Sequence, residues 1–493
     1  MKLKITFLQD FIIKKADFMS QVQTIFKNMS WLLISQIITS ICGFIWTIVI
    51  AQYLGVNDYG ILGFAISFTG ILTVLNDLGV GIHIIRHIAT DYNSANHYLG
   101  NAIPLKSLFS TFNFGISLII LIIMKCNPIT IQITLLFTIE SIIKSFFGLF
   151  SSTFQAFEEG KYQAIGNTIM NLLLLFFVGI VIFTDMGIFG ITFAYILSNF
   201  IALIYIFYAL RKYITKVTIQ FDKDFCKKIT IAAIPFAVGG LLSTLYYSVD
   251  MIMLTPMVGD YATGIYNATY RLISVLTLFY GVYTAVIFPV MSRMFKNDKE
   301  MLSVSFEMST KYLMLIIIPI AVATQFYSTD IIILFFGEQY AAASTPLSIL
   351  IWTVCLVFFN ASIATVLNAS FKEMVVTKLN FIAVIFNVVL NLFMIPKYTY
   401  NGAAITTVLT DLLLLFLYIY SMKKIISPNR AFYLTIVKII FGSVILGIAL
   451  YFLKLNMWIA IPVGIIIYFA AIFLLRVFDD DDKYIVKEIL GKN

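Results

Sequence analysis

The 493-residue chain is 60% hydrophobic and 12% charged, with a mean hydropathy of +0.96. Soluble domains carry about 25% charged residues, so this composition excludes a soluble globular protein. The net charge of +8 does not point to nucleic acid, because the basic residues gather in alternate loops, as the positive-inside rule requires.

The first 27 residues set Lys2, Lys4, Lys14, Lys15 and Lys27 among Phe and Ile. They lack a small-residue cleavage site, so residues 1–27 read as a cytoplasmic segment on the membrane surface. Apolar runs of about twenty residues follow, the length that crosses a bilayer core as helix. Runs centred near Ile41, Ser67, Phe114, Ile142, Leu173 and Tyr195 fall in residues 28–210. The connection 211–228 is the most charged and reads as a cytoplasmic linker. A second set, centred near Gly239, Val275, Ile316, Leu356, Ile385 and Thr410, fills residues 229–424. Two extra runs near Val444 and Ile465 occupy 425–478. Residues 479–493 read as a cytoplasmic tail whose acidic run, Asp479–Asp482, is expected to be solvated. The stretch Ile331–Gln339 is apolar but too short to span, and reads as an interfacial or re-entrant turn.

Charge placement sets the expected topology. Lys161, Arg211, Lys212, Lys216, Arg293, Lys296, Lys372, Lys378, Lys423 and Lys424 mark inner loops, whereas the outer ones hold Lys125, Lys397 and Lys454. Both termini are therefore expected in the cytoplasm. Outer connections such as Gly55–Asp58 and Tyr398–Asn401 are short, which forces neighbouring helices to run antiparallel.

The two sets of runs echo one another. Leu54-Gly55-Val56-Asn57-Asp58-Tyr59-Gly60 has a counterpart in Val258-Gly259-Asp260-Tyr261-Ala262-Thr263-Gly264, both with G-x-x-x-x-G at an offset of 204. Gly190 to Asn199 is echoed by Gly402 to Asp411, and Phe154-Gln155-Ala156 with Asn167 by Leu367-Asn368-Ala369 with Asn380. A doubled apolar unit is the usual plan of a transporter whose path lies between its halves. The expected fold is all-α: a polytopic membrane protein of about fourteen helices, two six-helix bundles in parallel repeat plus two C-terminal helices.

Polar side chains inside spans mark paths or partners, because an unpaired ion in hydrocarbon is costly. Arg271 lies about ten residues into the eighth run, roughly 15 Å deep at 1.5 Å per residue, beyond the reach of snorkelling. It is the leading candidate for a cavity-lining cation. Glu140 and Lys144 sit one turn apart in the fourth run, either as a self-neutralised pair or with Lys144 facing the cavity. Arg86 closes the second run, where it either meets phosphate or anchors topology. Gln36 and Asn76 complete the cavity candidates. Asp77, Asp250, Asp411 and Glu140 are the candidates for ion coupling, and Asp411 stands where the first repeat has Asn199.

His83 and His87 have i,i+4 spacing but no Glu between them and no further ligand nearby, so no metal site is expected. The four cysteines show no ligand spacing. There is no P-loop motif and no nucleophile–base set, so neither an enzyme nor a cofactor is expected.

The segment from Asn28 to Ala89 resembles the polysaccharide-exporter (Wzx-like) flippases of the multidrug/oligosaccharidyl-lipid/polysaccharide superfamily. The residues that carry the likeness are Asn28 and Trp31, Ala51 with Leu54-Gly55, Tyr59-Gly60, Asp77-Leu78-Gly79 and Arg86. Pro235, Asp250, Gly259, Gly264, Tyr266, Phe336-Gly337 and Tyr340 look like the second-half counterpart. The chain departs from the family at Gln52, where Arg is frequent. The resemblance implies translocation of an isoprenoid-(pyro)phosphate-linked oligosaccharide across the cytoplasmic membrane by alternating access, with Arg271 and Lys144 facing the phosphates. Its implied partners are membrane lipid, the lipid-linked substrate, and glycosyltransferases or a polymerase of the same pathway. A cation-coupled multidrug exporter is the alternative. A membrane polymerase or ligase fits less well, because the longest outer connection carries neither Arg nor His.

Overall fold

The computed structural model describes residues 2–478 and residue 482. Among these residues it is built of α-helices with short connections. Helix α1 (Lys2–Asp77) contains the first two spans, separated where Gly55 leaves helical geometry at φ 73°, ψ 175°. It is followed by the short α2 (Val80–Ile88) and by α3 (Ala95–Ile123), α4 (Pro128–Ala156), α5 (Gly160–Thr184) and α6 (Gly187–Tyr213). The second half contains α7 (Lys223–Val258), α8 (Asp260–Asn297), α9 (Lys299–Phe336), α10 (Ser344–Ala369) and α11 (Glu373–Met422). The last pair is α12 (Arg430–Leu453) and α13 (Met457–Leu474).

Among the described residues, eleven helices are long and apolar enough to cross a membrane. Two of them are double: α1 breaks at Gly55, and α11 breaks at Thr399 (φ 54°, ψ −135°) inside the expected Tyr398–Asn401 turn. With these breaks and α7 counted, the architecture is the expected polytopic all-α fold of about fourteen spans. The repeat is visible in the backbone. Gly259, counterpart of Gly55, takes φ 113°, ψ 174° between α7 and α8. Such positive φ is cheap only for glycine, which explains why the echo preserves it.

One expectation is corrected. The stretch Ile331–Gln339, expected as an interfacial or re-entrant turn, is mainly helical: α9 runs through it to Phe336, and Glu338–Ala343 winds into a 3-10 turn. The apolar run passes Pro319 and breaks at Tyr327 (φ −113°, ψ 18°), where a short second helix begins that ends at Phe336.

The chain divides into two compact units, residues 1–248 and 249–493, with the division inside α7. In the first unit, α1 packs on α3, α4 and α5, and α4 and α5 both pack on α6. The buried face of α2, made by Val80, Ile84 and Ile88, joins Leu99, Phe150, Phe154, Ile206 and Leu210 in one core. Cys226 and Ile229 from the start of α7 belong to the same core. The connection 211–228 lies along the start of α3 through three bonds: Thr218 N–H to Asn96 Oδ1 at 2.9 Å, Gln220 N–H to the Gly100 carbonyl at 3.0 Å, and Asp222 N–H to Asn101 Oδ1 at 2.7 Å. Gly100 lets the Thr218 carbonyl come so close that no Cβ would fit.

In the second unit, α10 packs against α8, α9 and α11. Asp298 caps α9, accepting from Glu300 N–H at 2.9 Å and Met301 N–H at 3.2 Å, as an N-cap carboxylate does. The pair α12–α13 packs on α9, and the Tyr468 hydroxyl of α13 donates to the Leu315 carbonyl at 2.8 Å.

Candidate functional site

Each unit holds a buried polar cluster of its own. In the first, Asn76 is fully buried at the end of α1. Its amide donates to Ser141 Oγ on α4 at 3.2 Å, and its oxygen accepts from Asn113 Nδ2 on α3 at 2.9 Å. The next residue, Asp77, pairs with Lys106 of α3 through Oδ1 and accepts from Gly81 N–H through Oδ2 at 3.3 Å. The helix breaks directly afterwards, at Leu78 (φ 41°) and Gly79 (φ 79°). The break turns the backbone so that a carboxylate of α1 reaches the first turn of α2.

Arg86 therefore does not close the second span. It is exposed on the separate helix α2. Glu140 is buried, Lys144 one turn later is exposed, and no ion pair within 4.0 Å joins them. Of the two readings that their spacing left open, the self-neutralised pair lacks a direct ion pair. Gln36 is exposed and reaches Ser40 Oγ at 3.4 Å, while its neighbour Ser35 makes the buried contact to the Ala164 carbonyl at 3.0 Å. Successive residues on a helix point about 100° apart, so Gln36 lies off the packed face.

The second unit has a denser cluster around Asp250, which is 5% exposed. Its Oδ2 accepts from the Tyr266 hydroxyl at 2.6 Å and from Thr407 Oγ1 at 2.7 Å. Its Oδ1 accepts from Asn391 Nδ2 at 2.6 Å, and the same amide reaches Asn387 Oδ1 at 2.9 Å. The donors come from α8 and from both arms of α11, so four spans converge on one carboxylate. The Asn391 Oδ1 atom is buried without a hydrogen-bond partner. These groups are oxygen-rich and carry one negative charge, a set suited to a proton or a hard monovalent cation rather than a soft metal. Among the described residues no group of three His, Cys, Asp or Glu is placed to hold a metal ion.

Asp411, 1% exposed, lies one turn beyond Thr407 on α11, and its backbone carbonyl accepts from Asn360 Nδ2 at 3.0 Å. Arg271 is half-buried on α8, five residues beyond Tyr266. That spacing turns it away from the face that meets Asp250.

Sequence reading missed two cations. Lys106 in α3 and Lys311 in α9 are 1% and 6% exposed. The signal was available, since each interrupts a long apolar helix well inside its boundary. Of the acidic run expected to be solvated, Asp479–Asp481 lie outside the described residues, whereas Asp482 is buried and pairs with Lys311 at 2.6 Å. Elsewhere in the second unit, α9, α12 and α13 line an apolar groove of about 440 Å³, with Pro319, Ile320, Leu446, Leu450 and Ile461 among its walls.

A family model described as polysaccharide biosynthesis protein matches residues 25–295, more than half of the chain. The chain belongs to the polysaccharide biosynthesis protein family. A second model, MatE, matches residues 235–393 and places this family member in the wider superfamily that the sequence resembles. Among curated relatives, the chain is 24% identical to an uncharacterized membrane protein of Methanocaldococcus jannaschii, over 96% of this chain and 99% of that one. It is also 24% identical to the capsular polysaccharide biosynthesis protein CapF of Staphylococcus aureus, over 81% of this chain and 99% of that one. Among solved structures it shares its fold with the lipid II flippase MurJ in an inward closed conformation. The TM-score is 0.75 at 17% identity, over 90% of this chain and 98% of that one.

Proposed function

We propose that this family member is a flippase that moves an isoprenoid-(pyro)phosphate-linked oligosaccharide across the cytoplasmic membrane by alternating access, for cell-surface polysaccharide synthesis. The observation that carries the reading is a match to the polysaccharide biosynthesis family on a fold shared, over nearly the whole chain, with a lipid II flippase. The site chemistry supports it. Arg271 is half-buried at mid-span and offers a planar, permanently charged fork suited to phosphate oxygens. Lys144 and Arg86, both exposed, are the further phosphate contacts of this reading. The apolar groove of the second unit suits a hydrocarbon chain, being walled mostly by apolar side chains.

Coupling is assigned to Asp250. Asp77 is already neutralised by Lys106, whereas the hydrogen-bond partners of Asp250 are neutral hydroxyls and amides. A cation or proton arriving there changes the charge of the cluster and so biases one conformation over another. Both termini are read as cytoplasmic, and the pathway's glycosyltransferases or polymerase as partners. The chain acts as a transporter rather than as a polymerase or ligase.

The second reading is a cation-coupled multidrug exporter, favoured by the MatE match and by the Asp250 cluster. One experiment separates the two. Vesicles containing the purified protein are loaded with labelled lipid-linked oligosaccharide, and its protection from an external probe is followed. Protein-dependent change in protection supports the flippase; no change, with ion-driven efflux of organic cations instead, supports the exporter.

A further inference from the structure

Lys106 and Lys311 are repeat-equivalent. They lie 205 positions apart, close to the 204-residue offset of the glycine echo. Lys106 stands eleven residues beyond the first residue of α3, Ala95, and Lys311 twelve beyond the first of α9, Lys299. Each is buried and each meets a carboxylate. The sources of the carboxylates differ. Asp77 belongs to the second span of the duplicated unit, whereas Asp482 lies outside the duplication, eight residues past the end of α13 at Leu474.

The second site is fully formed. Asp482 Oδ2 accepts from Lys311 Nζ at 2.6 Å and Oδ1 from the neighbouring Tyr312 hydroxyl at 2.6 Å. Both carboxylate oxygens thus receive short hydrogen bonds from adjacent residues of one helix, and the acid is 3% exposed. The chain approaching it is tethered: Lys438 of α12 donates to the Arg476 carbonyl at 3.1 Å. A buried ammonium loses far more on losing its counter-ion than the pair contributes when intact. Lys311 therefore demands an anion, and the repeat supplies none from the position that Asp77 fills in the first unit.

We propose that Lys311 and Tyr312 form an oxyanion site in the second bundle, that its resident occupant is the chain's own Asp482, and that a small carboxylate can take the same place. Asp482 is thereby a working part of the bundle, held there by its ion pair with Lys311. This inference goes beyond the transport reading and does not depend on the substrate.

The test uses the full-length protein in detergent and needs no transport assay. Asp482→Ala lowers the thermal unfolding midpoint, and acetate restores most of the loss, whereas sodium chloride at equal ionic strength does not. In Lys311→Met/Asp482→Ala the acetate effect disappears. The proposal is overturned if Asp482→Ala melts like the wild type, if chloride serves as well as acetate, or if acetate stabilises the double variant equally. Asp482→Asn, which keeps the shape, gives an independent reading by hydrogen exchange. Exchange in α9 around Lys311 rises in this variant and returns toward the wild-type level when Lys311→Met is added. Unchanged exchange in Asp482→Asn also overturns the proposal.

Discussion

The Tyr266 hydroxyl donates to Asp250 at 2.6 Å, and this bond ties the first helix of the second repeat to the one that follows. It spans the turn at Gly259, the backbone counterpart of Gly55. The position that the repeat preserves for geometry is thus bracketed in the second half by a buried acid and its donor.

Asp250→Asn keeps the shape of the cluster and removes its charge. If Asp250 binds the coupling ion, ion dependence of transport falls at least about tenfold, the equivalent of ~1.4 kcal/mol in site affinity. Transport rate against ion concentration or imposed pH gradient in vesicles measures this, with Asp77→Asn as comparison. Equal loss of ion dependence in both variants would remove the assignment to Asp250.

Arg271→Ala is expected to abolish export while the protein still reaches the membrane, and Arg271→Lys to restore part of it. Lysine keeps the charge but lacks the bidentate fork. Complementation of a flippase-deficient strain, with membrane level measured by immunoblot, decides it. Full complementation by Arg271→Ala would end the proposed role.

Gly55→Ala and Gly259→Ala each force a side chain into a backbone region of positive φ and extended ψ that glycine almost alone adopts, at a cost of about 1–3 kcal/mol. Losses of melting midpoint of similar size are expected in the two single variants, because both turns combine positive φ with extended ψ. A loss confined to one glycine would show that the echo is not energetically equivalent.

His83, on α2 beyond the second span, is held below the ordinary histidine value by burial first, and then by His87 and Arg86. Folding therefore favours its neutral form, and the unfolded chain takes the proton first as pH falls. The stability this group contributes is complete above a pH of about 6.5 and declines as pH drops below it. Melting midpoints measured from pH 7.5 down to about 5.5 are expected to fall more steeply in the wild type than in His83→Gln. Parallel curves would show that His83 does not contribute.

Fold class was legible in the sequence because membrane spans follow from run length and topology from charge placement. The turns at Gly55 and Thr399 fell where short polar connections interrupt apolar runs. The site was less legible. Asp250 was recognisable as an acid within a span, but its donors Asn391 and Thr407 sit on α11, well over a hundred residues away in sequence, and only folding assembles them. Glu140 and Lys144 illustrate the converse: spacing put them on one face, yet one is buried and the other exposed, because the helix face is divided between neighbours. Asp482 looked solvated among four aspartates since nothing local announces Lys311.

The contact of Gly100 with Thr218 has a consequence for dissecting the molecule. A duplicated chain invites separation into two co-expressed halves, and the charged connection 211–228 looks like the natural cut. A cut there would strip Asn96 and Asn101 of the segment that satisfies them and leave the start of α3 open to water. The first half would carry an unfinished edge, and the second would begin with an orphaned strip of the first. The repeat boundary written in the sequence is therefore not the seam along which the folded protein comes apart.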